Sequence, residues 1–415
     1  MSIRKRAWKT ASGEAKEAWI FDYVDQAGKR HIKTFQRKKD AVEFSSRILV
    51  EVQEGTHTAS SQSIKLSDAG EKWIATAEKN GLERSTVEQY RTHLRLHINP
   101  YLGNNRLSEL TAPMIRDFED RLRQGDPAAG QGPEDAKPRS AAITRKVMVS
   151  LGSLLADAQE RGLIGRNVAR DLRTRRTRGK ERRADRRQKG KLKVGVDIPS
   201  RKEIKAIVDA LQGRWRPLLL TAIFTGLRAS ELRGLHWNDV DLDAKLIHVR
   251  QRADKYNVMG APKSEAGERS VPLPPIVLNT LREWKLACPR KKAADGAGVL
   301  GLVFPTGAGN VESHGNIINR GLLPAQVAGG VTVKGKEAAG KPIVTAKYTG
   351  MHALRHFYAS WCINRRADGG LELPGKVVQE RLGHSSIMMT MDVYGHLFPR
   401  GDDGSELADA ERALL

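Results

Sequence analysis

The sequence predicts a multidomain, mainly α protein with small β-sheets, and three observations lead there. The chain has 415 residues, too long for one ordinary core and enough for two or three domains. Strand-like runs are confined to the N-terminus and to residues 246–273, while helical periodicity dominates elsewhere. A charge run over residues 170–193, RDLRTRRTRGKERRADRRQKGKLK, has almost no apolar anchors and marks a domain boundary. The expected order is a small sheet plus helix over 1–60, a helical domain over 64–168, a basic linker over 170–197, and a mixed α+β domain with a C-terminal tail over 198–415.

Each element has its own signal. Ala18 to Val24 is rich in strand formers, Asp25 to Gly28 reads as a turn, and Lys29 to Phe35 as a second strand with cationic flanks. From Lys38 to Glu54, Ala41, Val42, Phe44, Ile48, Leu49 and Val52 share one helical face. Such a module either lays its strands in a DNA groove or is a small packing unit with basic edges. In the second domain, Leu66–Glu78 and Ser85–Ile98 are helical, with Ser85 and Glu88 spaced as a capping box. Pro100 and Gly103 are expected to end that helix, Pro113 to begin the next, and Ser140–Glu160 to form another. Arg84, Arg91, His93, Arg95, Arg145 and Lys146 give these helices a basic exposed side. Gly125 to Pro138 reads as a mobile Gly/Pro-rich loop. The charge run is either a linker along a phosphate backbone or a solvated tether.

In the third domain, Ser200 and Glu203 cap a helix to Leu211, and Trp215–Thr225 is a buried helix. Leu246–Arg250 and Ser270–Leu273 read as strands around a long loop. Helices follow at Ile276–Leu286, Gly350–Asn364, Lys376–Leu382 and Ile387–Tyr394. Gly307–Ala346 reads as irregular loops with one short helix.

Composition narrows the partners. Lys and Arg number 71 against 48 Asp and Glu, a formal charge of +23. A surplus that size repels itself unless a polyanion shares the surface, and nucleic acid is the commonest one. The two cysteines, Cys288 and Cys362, form no CxxC pair, so neither a zinc site nor a disulfide framework is suggested. No apolar run resembles a signal peptide or a membrane span, so no membrane partner is expected and the cytosol is the expected location.

Six residues carry the chemistry. Arg228 lies in TGLRASEL, Lys263 in PKSEAGERSVPL, His352 and Arg355 in MHALRH, His384 in LGHSS and Tyr394 in DVYGH. Arg228, at the close of the apolar helix, can fork onto two phosphate oxygens, with Glu231 one turn on to orient it. Lys263, in a loop between strands, can neutralise phosphate and protonate a departing oxygen. His352 and Arg355, spaced i,i+3, share a helix face; His356 is expected to point elsewhere as a structural residue. Gly383 suits a left-handed helix end, after which Ser385 or Ser386 caps the next helix and leaves His384 at a tight junction. Tyr394 becomes a nucleophile if cations lower its pKa and a base takes its proton. Taken singly, each has an ordinary explanation: a surface ion pair, one lysine among many, a histidine satisfied in a turn, a packing tyrosine. The ordered set suits attack by a tyrosine on a DNA phosphodiester.

These segments resemble the tyrosine recombinases, the phage integrase family. In that family's pattern Arg228 matches the first catalytic arginine, Lys263 the hairpin lysine, His352 and Arg355 the His-x-x-Arg box, His384 the following histidine, and Tyr394 the nucleophile. The resemblance covers Ile198 to Pro399 and extends to 64–168, similar to the family's helical core-site-binding domain, and to 1–60, similar to the arm-site-binding domain of some phage integrases. The long basic linker and the Gly-rich stretch before Met351 depart from the pattern. The resemblance implies cutting and rejoining of duplex DNA through a 3′-phosphotyrosyl link, without cofactor or metal, in a bacterial host. It implies that His352 is the base towards Tyr394, that His384 hydrogen-bonds the phosphate, and that Lys263 protonates the leaving 5′-oxygen. It also implies a homotetramer on DNA, with core-type and arm-type sites and an accessory DNA-bending or directionality protein. The tail from Gly401 to Leu415, with Ser405 capping a short helix, is expected to dock on a neighbouring subunit, packing in cis being the alternative. A type IB topoisomerase-like enzyme, or a regulator that only binds DNA, are the rival readings. Two modules ahead of the catalytic domain argue against the first, and the complete catalytic set against the second.

Overall fold

The computed structural model describes residues 2–9, 15–25, 28–53, 63–125, 137–174, 191–292, 298–299, 301–336, 342–399 and 405–415. The chain divides into two compact units, Met1–Arg183 and Ala184–Leu415, a division that falls inside the basic run. Most of that run, and most of the Gly/Pro-rich stretch after Gly125, lie outside the described residues.

The first unit opens with an antiparallel sheet of β1 (Ser2–Lys9), β2 (Ala15–Val24) and β3 (Arg30–Phe35), in that order. Strand β1 was not expected, because its cationic residues hide any alternation. Its pairing with β2, from Ser2↔Asp22 to Lys9↔Ala15, makes it an edge strand of mostly exposed side chains. Helix α1 (Lys38–Gln53) covers β2, burying Phe21, Tyr23 and Ile48, with Phe44 edge-on to Phe21 at 6.0 Å.

A helical bundle follows: α2 (Leu66–Lys79), α3 (Arg84–His93), α4 (Asn99–Leu102), α5 (Ala112–Gln124), α6 (Ala141–Glu160) and α7 (Val168–Thr174). Trp73, Leu94, Ile115, Phe118, Leu151 and Leu154 lie at its core. Ser140 and Thr111 cap α6 and α5 through their hydroxyls. Three expectations fail here. Glu83, not Ser85, precedes α3, and Ser85 sits inside its first turn. Pro100 does not end the helix: a π turn, Leu94–Ile98, carries the chain into α4, where a first-turn proline loses no hydrogen bond. His93 is buried against the Ser150 hydroxyl, Nδ1 to Oγ 2.8 Å, so it does not belong to the basic face. Helix α7 was also missed. Buried Asn167 starts it, accepting from the Ala169 and Arg170 amides while its Nδ2 donates to the Gly152 carbonyl of α6.

The second unit is built around α9. Helix α8 (Arg201–Ala210) starts with the expected Ser200–Glu203 capping box. Helix α9 (Trp215–Thr225) is buried along most of its length, and its Thr221 and Thr225 hydroxyls donate to carbonyls one turn back. Then come α10 (Ala229–Gly234), the strands β4 (Val240–Asp241) and β5 (Leu246–Val249), the β6 (Arg252–Ala253)–β7 (Met259–Gly260) hairpin, β8 (Arg269–Pro272) and α11 (Pro275–Ala287). Strands β4, β5 and β8 form one antiparallel sheet, with Ile247 opposite Val271. Two short strands, β9 (Lys291–Lys292) and β10 (Gly298–Val299), pair next.

Regular elements occupy much of the described part of the segment expected to be irregular. It holds α12 (His314–Asn316), a π segment (Ile317–Leu322) and α13 (Leu323–Ala328), then a hairpin of β11 (Thr332–Lys336) and β12 (Pro342–Ala346). Its Gly321 marks close packing: a Cβ there would lie 3.1 Å from the Trp215 ring. Helices α14 (His352–Ile363), α15 (Gly375–Leu382), α16 (Ile387–Tyr394) and α17 (Ser405–Leu414) complete the unit. Leu407 and Leu414 of α17 are exposed. No described helix is long and apolar enough to cross a membrane.

Gly226 ends α9 at φ +63°, and a Cβ there would lie 2.3 Å from the Tyr358 ring of α14. An L-residue pays about 1–2 kcal/mol for that conformation alone, and the ring clash adds to it. Gly226→Ala is therefore expected to destabilise the second unit by more than about 2 kcal/mol, read from the midpoint of urea unfolding.

Candidate active site

The end of α9 sets the site. Because Gly226 turns the chain left-handed, Arg228 becomes the N-cap of α10 rather than the close of the preceding helix. Its backbone N–H donates to Glu231 Oε2 (2.8 Å), and its Nη1 donates to Glu231 Oε1 (2.7 Å). Its Nη2 donates to the Gly383 carbonyl (2.9 Å). Glu231, only 3% exposed, is also forked by Arg269, with Nη2 2.9 Å from Oε2 and Nη1 3.1 Å from Oε1. Burial alone would raise the Glu231 pKa; Arg269 and Arg228 outweigh it and hold the carboxylate below its usual range.

Arg269 also donates from Nε to the Arg381 carbonyl (2.8 Å), tying β8 to the end of α15. The turn between β7 and β8 reaches the same place, since a Cβ on Gly383 would lie 2.9 Å from the Ala266 carbonyl oxygen. Lys263 sits on that turn, exposed. Buried Arg233 braces the hairpin leading to it, donating to the Asp254 carbonyl (2.8 Å) and to the Glu312 carbonyl (2.6 Å).

Arg355, 3% exposed, donates from Nη1 to the Gly226 carbonyl (2.6 Å) and from Nη2 to the Leu382 carbonyl. Burial, with the Arg228 cation next in weight, presses its pKa down to about 9, so it stays charged at neutral pH. His352, at the exposed start of α14, has its pKa lowered by desolvation and then by Arg355 and Arg228. Gly383 ends α15 at φ +61° as expected, and the Ser386 hydroxyl caps α16. His384 is buried in the junction, with Nδ1 2.9 Å from Thr390 Oγ1. Burial and then Arg355 push its pKa down to about 4. Its ring lies parallel to that of Tyr394, 6.3 Å away. Tyr394 is 2% exposed, and burial pushes its phenol up to about 12 against the pull of Arg355 and Arg228.

The structure thus gathers Arg228, His352, Arg355, His384 and Tyr394, with the Lys263 turn against Gly383. One expectation is overturned. His356 does not point elsewhere: its Nδ1 is 2.8 Å from the Tyr394 hydroxyl, while His352 stacks edge-on to His356 at 5.0 Å. His352, the base expected from sequence, lies one helical turn from the histidine that meets the phenol.

Residues 200–400 match the phage integrase family, and residues 65–123 match the phage integrase N-terminal SAM-like domain. The chain belongs to the phage integrase family of tyrosine recombinases. It is 26% identical to a tyrosine recombinase XerC-like protein of Caldanaerobacter subterraneus subsp. tengcongensis, over 91% of this chain and 90% of that protein. It is 22% identical to the ICEBs1 integrase of Bacillus subtilis, over the same shares. In fold it is similar to the Tn1549 transposon integrase, solved with transposon right-end DNA (TM-score 0.56, 17% identity, 85% of this chain and 100% of that one). It is also similar to lambda integrase, solved as a tetramer on a Holliday junction (TM-score 0.50, 17% identity, 92% and 95%).

Two residues of this tyrosine recombinase escaped the sequence reading. His356, read from sequence as structural, lies i,i+4 from His352, a spacing that puts both on one face. Arg269 stands inside the PKSEAGERSVPL segment, but its partner Glu231 is 38 residues away and nothing local points to it.

The Glu231 pair gives a signed pH dependence. Its folded-state pKa lies below the unfolded value of about 4.3, so its contribution is complete above that value and is lost as pH falls through the folded one. Glu231→Gln is expected to lose about 3 kcal/mol at pH 7. The gap to wild type should narrow on acidification below pH 4, as read from urea unfolding across that range.

Proposed function

We propose that this tyrosine recombinase cuts and rejoins duplex DNA at specific sites through a 3′-phosphotyrosyl intermediate, integrating and excising a mobile element. The observation that carries this is the buried Tyr394 phenol within the electrostatic reach of two guanidiniums, Arg228 and Arg355, which backbone carbonyls and Glu231 already hold in place.

A scissile phosphate spreads charge over its non-bridging oxygens as a fifth ligand arrives. Preorganised guanidiniums stabilise that charge without reorganising at the moment of reaction. Arg228 is about one-third exposed, 35% by side-chain area, so it faces solvent where Arg355 does not. Arg228 meets the phosphate first and Arg355 supports it from below. His352 and His384 donate hydrogen bonds to the same oxygens, and Lys263 gives a proton to the leaving 5′-oxygen. The freed 5′-hydroxyl of another strand then attacks the phosphotyrosyl link and restores a diester.

Duplex DNA and other copies of the chain are the partners. Residues 64–168 take core-type sites, and the 1–60 module takes arm-type sites through its cationic strands. Four protomers assemble on two duplexes, the exposed leucines of α17 docking on a neighbour, and an accessory DNA-bending or directionality protein sets the direction. The reaction takes place in the cytosol of a bacterial host.

Tyr394→Phe is expected to abolish the covalent adduct on a nicked suicide duplex while DNA binding stays within a few-fold of wild type. A denaturing gel and a mobility-shift titration read the two effects, and an adduct persisting in the variant contradicts the assignment. Strand exchange between two sites separates recombination from mere relaxation of supercoils. A chain ending at Pro399 is expected to bind DNA but to lose the tetramer, measured by mass photometry of the DNA complex.

A further inference from the structure

The contact between α14 and α16 assigns a role that the recognised motif residues do not fill. We infer that His356 is the general base for Tyr394: its Nδ1 takes the phenolic proton as Oη attacks phosphorus, and returns it when the strands are rejoined. The inference rests on Tyr394 as the nucleophile.

Geometry distinguishes the three histidines. His356 Nδ1 is within hydrogen-bond reach of the reacting oxygen at 2.8 Å. His384 spends its Nδ1 on Thr390, and its ring lies flat against the tyrosine ring, 4° from parallel, rather than edge-on to the hydroxyl. His352 meets His356, not Tyr394, with rings 87° apart. It stands at the exposed start of α14, so the order Tyr394, His356, His352 runs from the buried phenol outward.

The groups facing His356 set its charge. Its own helix contributes His352 and Arg355, α16 contributes Tyr394, and the segment before α8 contributes Asp197. Burial first, then His352 and Arg355, push the imidazole down to about 4, with Asp197 opposing. The ring is therefore neutral at working pH, with a lone pair for the phenolic O–H. With the phenol up at about 12, transfer cannot run ahead of the chemistry. It must accompany formation of the Oη–P bond, when the phenolic oxygen becomes sharply more acidic. The balance is complete: Oη–H breaks and Nδ1–H forms, Oη–P forms and P–O5′ breaks, and the 5′-oxygen takes its proton from Lys263. Nothing is oxidised or reduced.

The test compares single-turnover cleavage of a nicked duplex by wild type, His356→Asn and His356→Ala. Asparagine accepts a hydrogen bond but carries no proton. Both variants are expected to melt and bind DNA like wild type and to cleave about 100-fold more slowly or worse. A duplex with sulfur in place of the bridging 5′-oxygen, a leaving group that needs no proton, is expected to restore Lys263→Ala but not the His356 variants. Near-normal cleavage by His356→Asn would reduce the residue to a hydrogen-bonding prop. Faster cleavage by His356→Ala would make it a latch. Restoration of His356→Asn by the sulfur substrate would place the defect on the leaving group. Each of these overturns the proposal. Should asparagine lower the melting temperature, His356→Gln carries the same comparison. A wild-type protein that forms no adduct at all would instead defeat the reading of Tyr394.

Discussion

Glu231 is a carboxylate removed from water and enclosed by two guanidiniums and a backbone N–H. Burying one charge costs several kcal/mol unless its partners are fixed, so this group forces order on everything that touches it. It fixes Arg228 at the start of α10 and Arg269 on β8. Arg269 in turn carries the end of α15 through the Arg381 carbonyl. Three stretches far apart in sequence are thereby held to one point. The excess is cationic: Arg228, Arg269 and Arg355 face a single carboxylate. Such a cluster is incomplete without an anion, and a phosphodiester supplies one, with two non-bridging oxygens that a planar guanidinium fork can span.

The left-handed turns at Gly226 and Gly383 perform the second task. Each ends a helix and leaves carbonyl oxygens to accept from arginine: Gly226 and Leu382 from Arg355, Gly383 from Arg228. These carbonyls hold the guanidiniums without neutralising them, so charge remains for a ligand. The same burial that fixes the arginines keeps Tyr394 protonated and the adjacent imidazoles neutral. On the proposed assignment, the resting protein holds its nucleophile uncharged. On that assignment, activation arrives with the phosphate.

How much of this was legible depended on whether the signal was local. Helix α9, the Ser200 capping box and α16 could be read from periodicity and caps, because their defining contacts lie within one or two turns. Strands β5 and β8 were placed to within a residue from their apolar runs. Strand β1 was hidden because its partner, not its own pattern, makes it a strand. The glycines of 307–346 suggested loops, whereas Gly321 exists to let a helix approach Trp215. Within the site, the motif residues announced themselves by order and spacing. The Arg269–Glu231 fork and the His356–Tyr394 bond span 38 residues each, and only the packing of α10 on β8 and of α14 on α16 creates them.

The central claim is that Arg228 and Arg355 form a phosphate clamp held in readiness by Glu231 and the Leu382–Gly383 carbonyls. A structure of the protein covalently trapped on a nicked core-site duplex examines it most directly. The account predicts Tyr394 Oη joined to the 3′-phosphate, both guanidiniums on its non-bridging oxygens, and Glu231 still forked by Arg269. A phosphate held by other side chains, with neither the Arg228 nor the Arg355 guanidinium on its oxygens, would contradict it.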